Sequence, residues 1–472
     1  MKFSSIPKMK TLLKASLVLV SGMVLGLIGN RAYRWWQYHQ REFQNYPPPV
    51  TVTLTSTNLP IVLINTNNSR IYKDKKIDAV LTIIQNEEGK LNYADTIKHK
   101  DQTIDYAGTI SLKYRGNSSF TNSEKKPFSI KLDSAACLLG MRASNKWALQ
   151  APYSDRSLIR DVLTFELAKN YFEYSPEARL CEVILDGKYY GVYFLSEKVT
   201  GMKIKKAGEE GNKLTGGYII EMENPNAREK VACQSKNWNI RYCYKKPDEK
   251  ITDVQRHYID SVLMVMETAF LVNNYEHLKE VVDIQSFLDY QLISEFTHNH
   301  DSYSRSVYLY KHRDKKDGRI KATIWDYNVA LGNGNFMDAW RTDTWRINDN
   351  PDRTLLHGEI DSLKFFWGRL LSHEEYRLQL KERWKEYRAN DFSDESVMHK
   401  IDSLATLLTV GGAEERNGRA WQIWRRKEYG IKEPLYIWPN KYVSSTFEDE
   451  IEFLKDWIRK RLIWIDNHIQ DV

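Results

Sequence analysis

The hydrophobic period of this chain switches once, near residue 251, and that switch limits the folds open to it. Before it, short β-branched and alternating runs recur at Val50 to Leu54, Pro60 to Ile64, Ile77 to Ile84 and Thr109 to Tyr114, separated by Asn, Asp and Gly turns. After it, Val254 to Val272 and Ile284 to Thr297 carry apolar residues at helical spacing. The pattern predicts an α+β chain with a β-rich first part and a helical second part. One hairpin interrupts the helical part. Val307 to Lys311 and Ile320 to Ile324 read as paired strands across a charged turn at Asp314 to Gly318. Asp301 precedes the first strand and Asp326 follows the second, so pairing folds a separation of 25 residues into a short gap, beside His298, His300, Trp325 and Asn328. Aspartates also serve turns and helix caps, but two of them in that company form a metal-and-base arrangement, which makes an enzyme the first expectation.

The N-terminus predicts export. Lys2, Lys8, Lys10 and Lys14 lead an uncharged run from Ala15 to Asn30. The run is shorter than the roughly 20 residues of a comfortable span and lacks a small-residue cleavage site, so a cleaved signal peptide and a retained signal-anchor both stay open. Arg31, Arg34, Trp35 and Trp36 suit the far interface of an anchor. The expectation is an exported protein. It would be membrane-anchored, with the membrane as partner and the bulk of the chain facing the periplasm or cell exterior, or secreted if the segment is cleaved. Tyr46-Pro47-Pro48-Pro49 then forms a stiff spacer.

Composition excludes two classes. With 42% hydrophobic and 12% aromatic residues the chain is not a disordered polymer, and 69 basic against 62 acidic residues give a net charge of +7 that is too diffuse for nucleic acid but suits an anionic ligand. Cys137, Cys181, Cys233 and Cys243 lack the spacing of a zinc knuckle. In an oxidising compartment Cys233 and Cys243 would close a loop around Trp238.

A lysine-bearing hairpin opens the second β unit. Ser111 to Phe120 returns through Lys125 to Leu132, with Phe128, Ile130 and Leu132 on one face and Lys131 on the other. The turn Gly116-Asn117-Ser118-Ser119 is rich in residues that expose backbone N–H groups, as a phosphate-covering turn requires, although any one of these lysines is as well explained as a solvated charge. Asp155 to Asn170 reads as a helix capped by Asp155 with Glu166 on its flank. Strands at Cys181 to Leu185 and Tyr190 to Leu195 lead to Ser196-Glu197-Lys198-Val199, and Gly216 to Glu223 adds another. From Leu363 to Ile469 the chain is mostly helical, and Leu454, Ile458, Leu462, Ile465 and Ile469 mark the buried stripe of its last helix.

Six stretches in register resemble the spore coat protein H (CotH) kinase family: Arg115 to Ser119, Lys125 to Leu132, Lys146 to Leu149, Asp155 to Arg160, Tyr190 to Tyr193 and Trp325 to Asn328. The resemblance covers about residues 105 to 335. It implies an atypical protein kinase-like two-lobed fold that uses ATP and Mg²⁺ (or Mn²⁺) to phosphorylate Ser or Thr of an envelope or secreted protein. On that basis the chain divides into a signal peptide or signal-anchor at 1–30, a juxtamembrane and Pro-rich spacer at 31–49, a β-rich module at 50–108, a kinase N-lobe-like unit at 109–250 and a helical C-lobe-like unit at 251–472. The resemblance makes Asp301 the catalytic carboxylate and Asp326 the Mg²⁺ ligand. Lys131 would bind the nucleotide phosphates, with Lys126 second to it, and Arg115, Asn117 and Ser118 would form the covering turn. Glu166 would pair with the lysine and Glu197 would meet the adenine. Asn328 stands where the family more usually has a second carboxylate, and Ser306 where kinases keep a metal-binding Asn, so both departures are expected to weaken metal binding. The competing expectations are a catalytically weak pseudokinase-like scaffold and a glycan-active hydrolase with an acid pair.

Overall fold

The computed structural model describes residues 40–223, 232–235, 240–348, 365–424 and 435–472. Seven strands close a barrel: β1 (Ile61–Asn65), β2 (Ile77–Ile84), β3 (Ile104–Tyr114), β4 (Phe128–Ala136), β5 (Ser144–Gln150), β6 (Ala178–Leu185) and β7 (Lys188–Glu197). Their order is β1-β2-β3-β4-β5-β7-β6. Every pair is antiparallel except the closing one, in which Ile61 to Ile64 lie parallel to Glu182 to Leu185. Closure leaves no strand edge open. Alternation decides what fills it: Ala79, Leu81 and Ile83 of β2, Ile110 and Leu112 of β3 and Phe128, Ile130 and Leu132 of β4 join Trp147, Cys181 and Tyr193 in a packed interior. The lumen is solid, so polar chemistry belongs on the outer faces. Lys131 lies on one of them, as the alternation requires.

A five-stranded sheet stands beside the barrel. It contains β8 (Tyr218–Glu223), β9 (Ala232–Gln234), β10 (Arg241–Lys246), β11 (Val307–Lys311) and β12 (Ile320–Thr323), in the order β9-β10-β8-β11-β12. The hairpin expected from sequence is the β11–β12 pair, with Tyr308 opposite Thr323 and Lys311 opposite Ile320. The barrel runs across residue 108 and the second sheet across residue 250, because β2 pairs with β3 and β8 pairs with β11.

The helices of seven residues or more among the described residues are α1 (Arg160–Ala168), α2 (Asp253–Val272), α3 (Tyr275–Val281), α4 (Ile284–Thr297), α5 (Phe365–Leu371), α6 (Glu374–Ala389), α7 (Asp394–Thr409), α8 (Ala413–Trp421) and α9 (Phe447–His468). α4 is buried on every side, is capped by the Asp283 carboxylate on the Ser286 N–H, and ends at His298 in a left-handed conformation. It therefore delivers the next residues to a fixed point. α1 begins five residues later than expected, because the Asp155 carboxylate ties a turn by accepting from the N–H groups of Ser157 at 3.0 Å and Arg160 at 2.8 Å. Leu454, Ile458, Leu462 and Ile465 of α9 are buried, as is Ile469 beyond it. These β-rich and helical regions confirm the mixed α+β reading.

The membrane expectation is corrected. Residues 1–30, which carry the signal or anchor reading, lie outside the described residues. Among the described residues no helix is long and apolar enough to cross a membrane. The longest, α9, bears Glu448, Asp449, Glu450, Lys455, Asp456, Arg459, Lys460 and Arg461, a charge load incompatible with a bilayer core. A membrane-anchored placement and a membrane partner therefore have no support in the fold. No disulfide joins any of the four cysteines, so the Cys233–Cys243 loop closure does not form. Trp238 lies outside the described residues.

Candidate active site

The acidic side of the site is built by the ends of three elements. After α4, the Asn299 side chain ties two segments together: its amide donates to the Asp326 carbonyl at 3.2 Å while its Oδ1 accepts from the Asp301 N–H at 3.3 Å. Arg346, buried, donates to the Asn299 carbonyl at 3.0 Å and the His300 carbonyl at 2.6 Å. The loop bearing Asp301 is thus held from both sides. Asp326 follows β12 with φ at 66°, a left-handed conformation that costs a non-glycine residue energy and is held by its surroundings. Asn328 donates to Asp326 Oδ1 at 2.7 Å. From α1, the Asp161 carboxylate accepts from the Tyr327 N–H at 2.6 Å.

These carboxylates repel one another. Burial first, then the charge of Asp301, pushes the Asp326 carboxyl up to about 6, and Arg115 pulls the other way. Asp161 rises well above the usual range through burial and the charge of Asp326. Burial raises Asp301 too, opposed by Arg305 and Arg346. His300 Nε2 sits 3.7 Å and Arg305 Nη1 3.9 Å from Asp301 Oδ1. Burial, followed by Arg346 and Arg305, keeps the His300 imidazole neutral by holding it well below its ordinary value. Such crowding favours a proton or a bound cation.

The facing wall is cationic. On the outer face of the barrel Lys131 pairs in register with Lys146 and Ser111, and Lys113 pairs with Ser129. Lys198, just past β7, donates to Ser129 Oγ at 2.6 Å. Burial pulls Lys198 well below its ordinary value, and Arg115, Lys113, Lys146 and Lys76 all push in the same direction. An anion of several charges would relieve that wall. Arg115 joins the two sides: its guanidinium lies 5.5 Å from the centre of the Trp325 ring and feels Asp326, Glu221 and Asp161. Glu221, on β8, pairs with Lys245 at 2.7 Å.

The fold gathers Asp301, Asp326, Asn328 and Arg115, puts Lys131 in the cationic wall, and leaves other expected residues elsewhere. Lys131 is exposed on the outer barrel face and is a neighbour of Lys76 in the cationic wall. Lys126 is buried as a clasp, donating to the carbonyls of Phe120 and Ser123 at 2.5 Å each, and burial lowers it to about 8. Asn117 and Ser118 are exposed at the start of a short helical turn, Ser118–Thr121, which replaces the open covering turn. Glu166 pairs with Lys169 at 2.8 Å and Arg179 at 3.4 Å, so the expected partnership with Lys131 does not form. Glu197 is buried against Arg142 at 2.7 Å and pushed up to about 7 by burial. Ser306 precedes β11 in a left-handed conformation, with φ at 52°. Sequence reasoning missed Asp161, Glu221, Lys198 and Arg346. Asp161 adjoins a stretch already singled out, and Lys198 and Glu221 lie inside two others, Ser196 to Val199 and Gly216 to Glu223, but no spacing rule marks them.

Among the described residues no group of three or more His, Cys, Asp or Glu is placed to hold a metal ion. Mg²⁺ does not require such a cage, since it is commonly held by one or two carboxylates together with substrate phosphates and water. Asp326 and Asn328, one carboxylate and one amide, are too few donors for a free-standing metal centre and would suit only a metal that arrives with a polyphosphate.

The inner spore coat protein H of Bacillus subtilis (strain 168) is 24% identical over 241 residues, a match covering 50% of this chain and 63% of that protein. The match thus spans less than two thirds of the relative's length. The sequence profile of the CotH kinase protein family covers far more, residues 112–465. The chain belongs to the CotH kinase family.

Proposed function

We propose that this cleft transfers the γ-phosphoryl group of ATP to a Ser or Thr hydroxyl of a protein acceptor. The observation that carries the reading is the Asn299 side chain, which ties the Asp301 N–H to the Asp326 carbonyl, with Arg115 placed between Asp326 and the cationic wall. Phosphoryl transfer needs little covalent help from a protein; it needs positioning and neutralisation of charge. Arg115 and Lys198 would bind the phosphates, with Lys113, Lys146 and Lys131 along the rim. Asp326 and Asn328 would hold Mg²⁺ or Mn²⁺, which when bound neutralises charge on the transferred group. Asp301 would orient the acceptor hydroxyl and take its proton on a carboxylate oxygen. Its raised pKa makes it a better base than an ordinary aspartate. His300, kept neutral, adds no positive charge beside that oxygen.

An acid pair also suits glycoside hydrolysis, but that reaction has no use for a lysine wall. The test incubates the protein with γ-labelled ATP and Mg²⁺ or Mn²⁺ and compares Asp301→Ala and Asp326→Ala. Metal-dependent labelling of protein, lost in both variants, supports the reading. Nucleotide binding without metal dependence and without transfer would replace it with the pseudokinase-like one.

A further inference from the structure

The described chain exposes four large apolar side chains within eight residues: Leu435 at 40%, Tyr436 at 53%, Trp438 at 48% and Tyr442 at 44%. Such a density on a folded surface marks a binding site more often than chance. Its location relative to the acid pair is fixed at both ends. On one side, the Trp438 ring stacks on Phe336 with centres 5.6 Å apart and planes 4° from parallel, Phe336 meets the His300 ring edge-on at 4.1 Å, and His300 adjoins Asp301. On the other side, the Asn440 amide donates to Asn333 Oδ1 at 2.7 Å, the Asn333 amide donates to the Asn328 carbonyl at 2.6 Å, and Asn328 contacts Asp326. The Lys441 N–H donates to the Asn333 carbonyl at 3.1 Å, and a bridge joins Gly334 to Asn440. The patch and both carboxylates therefore sit on one closed ring of contacts.

We infer that this aromatic shelf, centred on Trp438 and Tyr436, docks the acceptor polypeptide by an apolar or aromatic side chain a few residues from the phosphorylated Ser or Thr. The inference rests on the kinase reading for the identity of its occupant. It assigns acceptor selection to residues outside the proposed nucleotide wall. A peptide fits better than a sugar because the amide within the shelf, Asn335, already donates to the Tyr436 hydroxyl at 2.8 Å. Leu435, Trp438 and Tyr442 offer exposed apolar contact, which suits a Leu or Phe side chain, whereas sugar hydroxyls require free polar partners.

The test is a binding measurement that does not depend on turnover. Fluorescently labelled Ser-centred peptides, carrying Leu or Phe at each position from two to four residues on either side or Gly throughout, are titrated with the full chain and followed by anisotropy. Apolar peptides are expected to bind about tenfold more tightly than the Gly peptide, and Trp438→Ala and Tyr436→Ala should each remove most of that gain, as truncation of an interface anchor does. ATP binding by Trp438→Ala, measured in parallel, should be unchanged, which shows that the variant is folded. Equal binding of apolar and Gly peptides, or apolar-peptide binding that survives both substitutions, overturns the inference. Retained apolar selectivity with no phosphate transfer would overturn the kinase reading and leave the shelf standing as a peptide site.

Discussion

Lys198 and Lys131 show how one residue's surroundings decide its use. Lys131 is an exposed strand lysine, and solvent screens its charge. Lys198 is recessed, bonded to Ser129 Oγ and pressed by four other cations, so its charge is costly until an anion arrives. Lys198→Met is therefore expected to weaken ATP binding by at least about tenfold, as loss of a desolvated charge contact does, and Lys131→Ala by only a few-fold. Isothermal titration of both variants checks the order, and the reverse ranking returns the role to Lys131. Glu197 gives a pH prediction. Its pKa of about 7 lies above the ordinary 4.5, mainly through burial, so the native state binds more protons than the unfolded chain between those values. Stability should fall as pH rises from about 4.5 to 7. Glu197→Gln should flatten that fall and leave the protein up to about 3 kcal/mol more stable at pH 8. Urea denaturation at pH 5 and 8 measures it, and an unchanged slope would show that Arg142 outweighs burial.

At the scale of elements, the site depends on where α4 stops and on what braces the loop beyond it. The Glu295 carboxylate accepts from the Tyr303 hydroxyl at 2.7 Å and the Ile347 N–H at 3.0 Å, while Arg461 of α9 donates to the Glu295 carbonyl at 2.9 Å. Arg346 completes the brace through the carbonyls of Asn299 and His300. Arg346→Lys keeps the charge but loses the fork that reaches both carbonyls. It should lower kcat by at least about tenfold with little change in the KM for ATP, because about 1 Å of misplacement at the reacting groups costs on the order of 10²-fold. Steady-state kinetics measures that outcome, and a urea midpoint equal to the parent's excludes a general loss of folded protein, which would also lower apparent kcat without moving KM. The barrel answers to packing instead. Trp147 is fully buried in its interior, and Trp147→Ala should cost about 3–5 kcal/mol in urea denaturation.

For the whole molecule, local pattern carried the elements and tertiary closure carried the rest. Ile77–Ile84, Asp253–Val272 and the β11–β12 hairpin were legible because alternation, helical spacing and turn chemistry act within a few residues. Barrel closure was not legible. It depends on the parallel pairing of Ile61 to Ile64 with Glu182 to Leu185, more than a hundred residues apart. The same holds for the site: the hairpin announced the Asp301 and Asp326 pair, whereas Lys126 and Glu166 looked suitable in sequence and were taken by local partners. A lysine near a glycine turn has several carbonyls within reach, and no spacing rule distinguishes a clasp from a phosphate ligand. The central claim is that the two aspartates and the cationic wall act on one nucleotide. Transfer of label from γ-labelled ATP to protein, with Mg²⁺ present and absent, tests it most directly in the parent chain, Asp301→Asn and Asp326→Asn. Metal-dependent transfer that falls at least about a hundredfold in each variant is expected. Transfer that persists in either variant, or that ignores the metal, contradicts it.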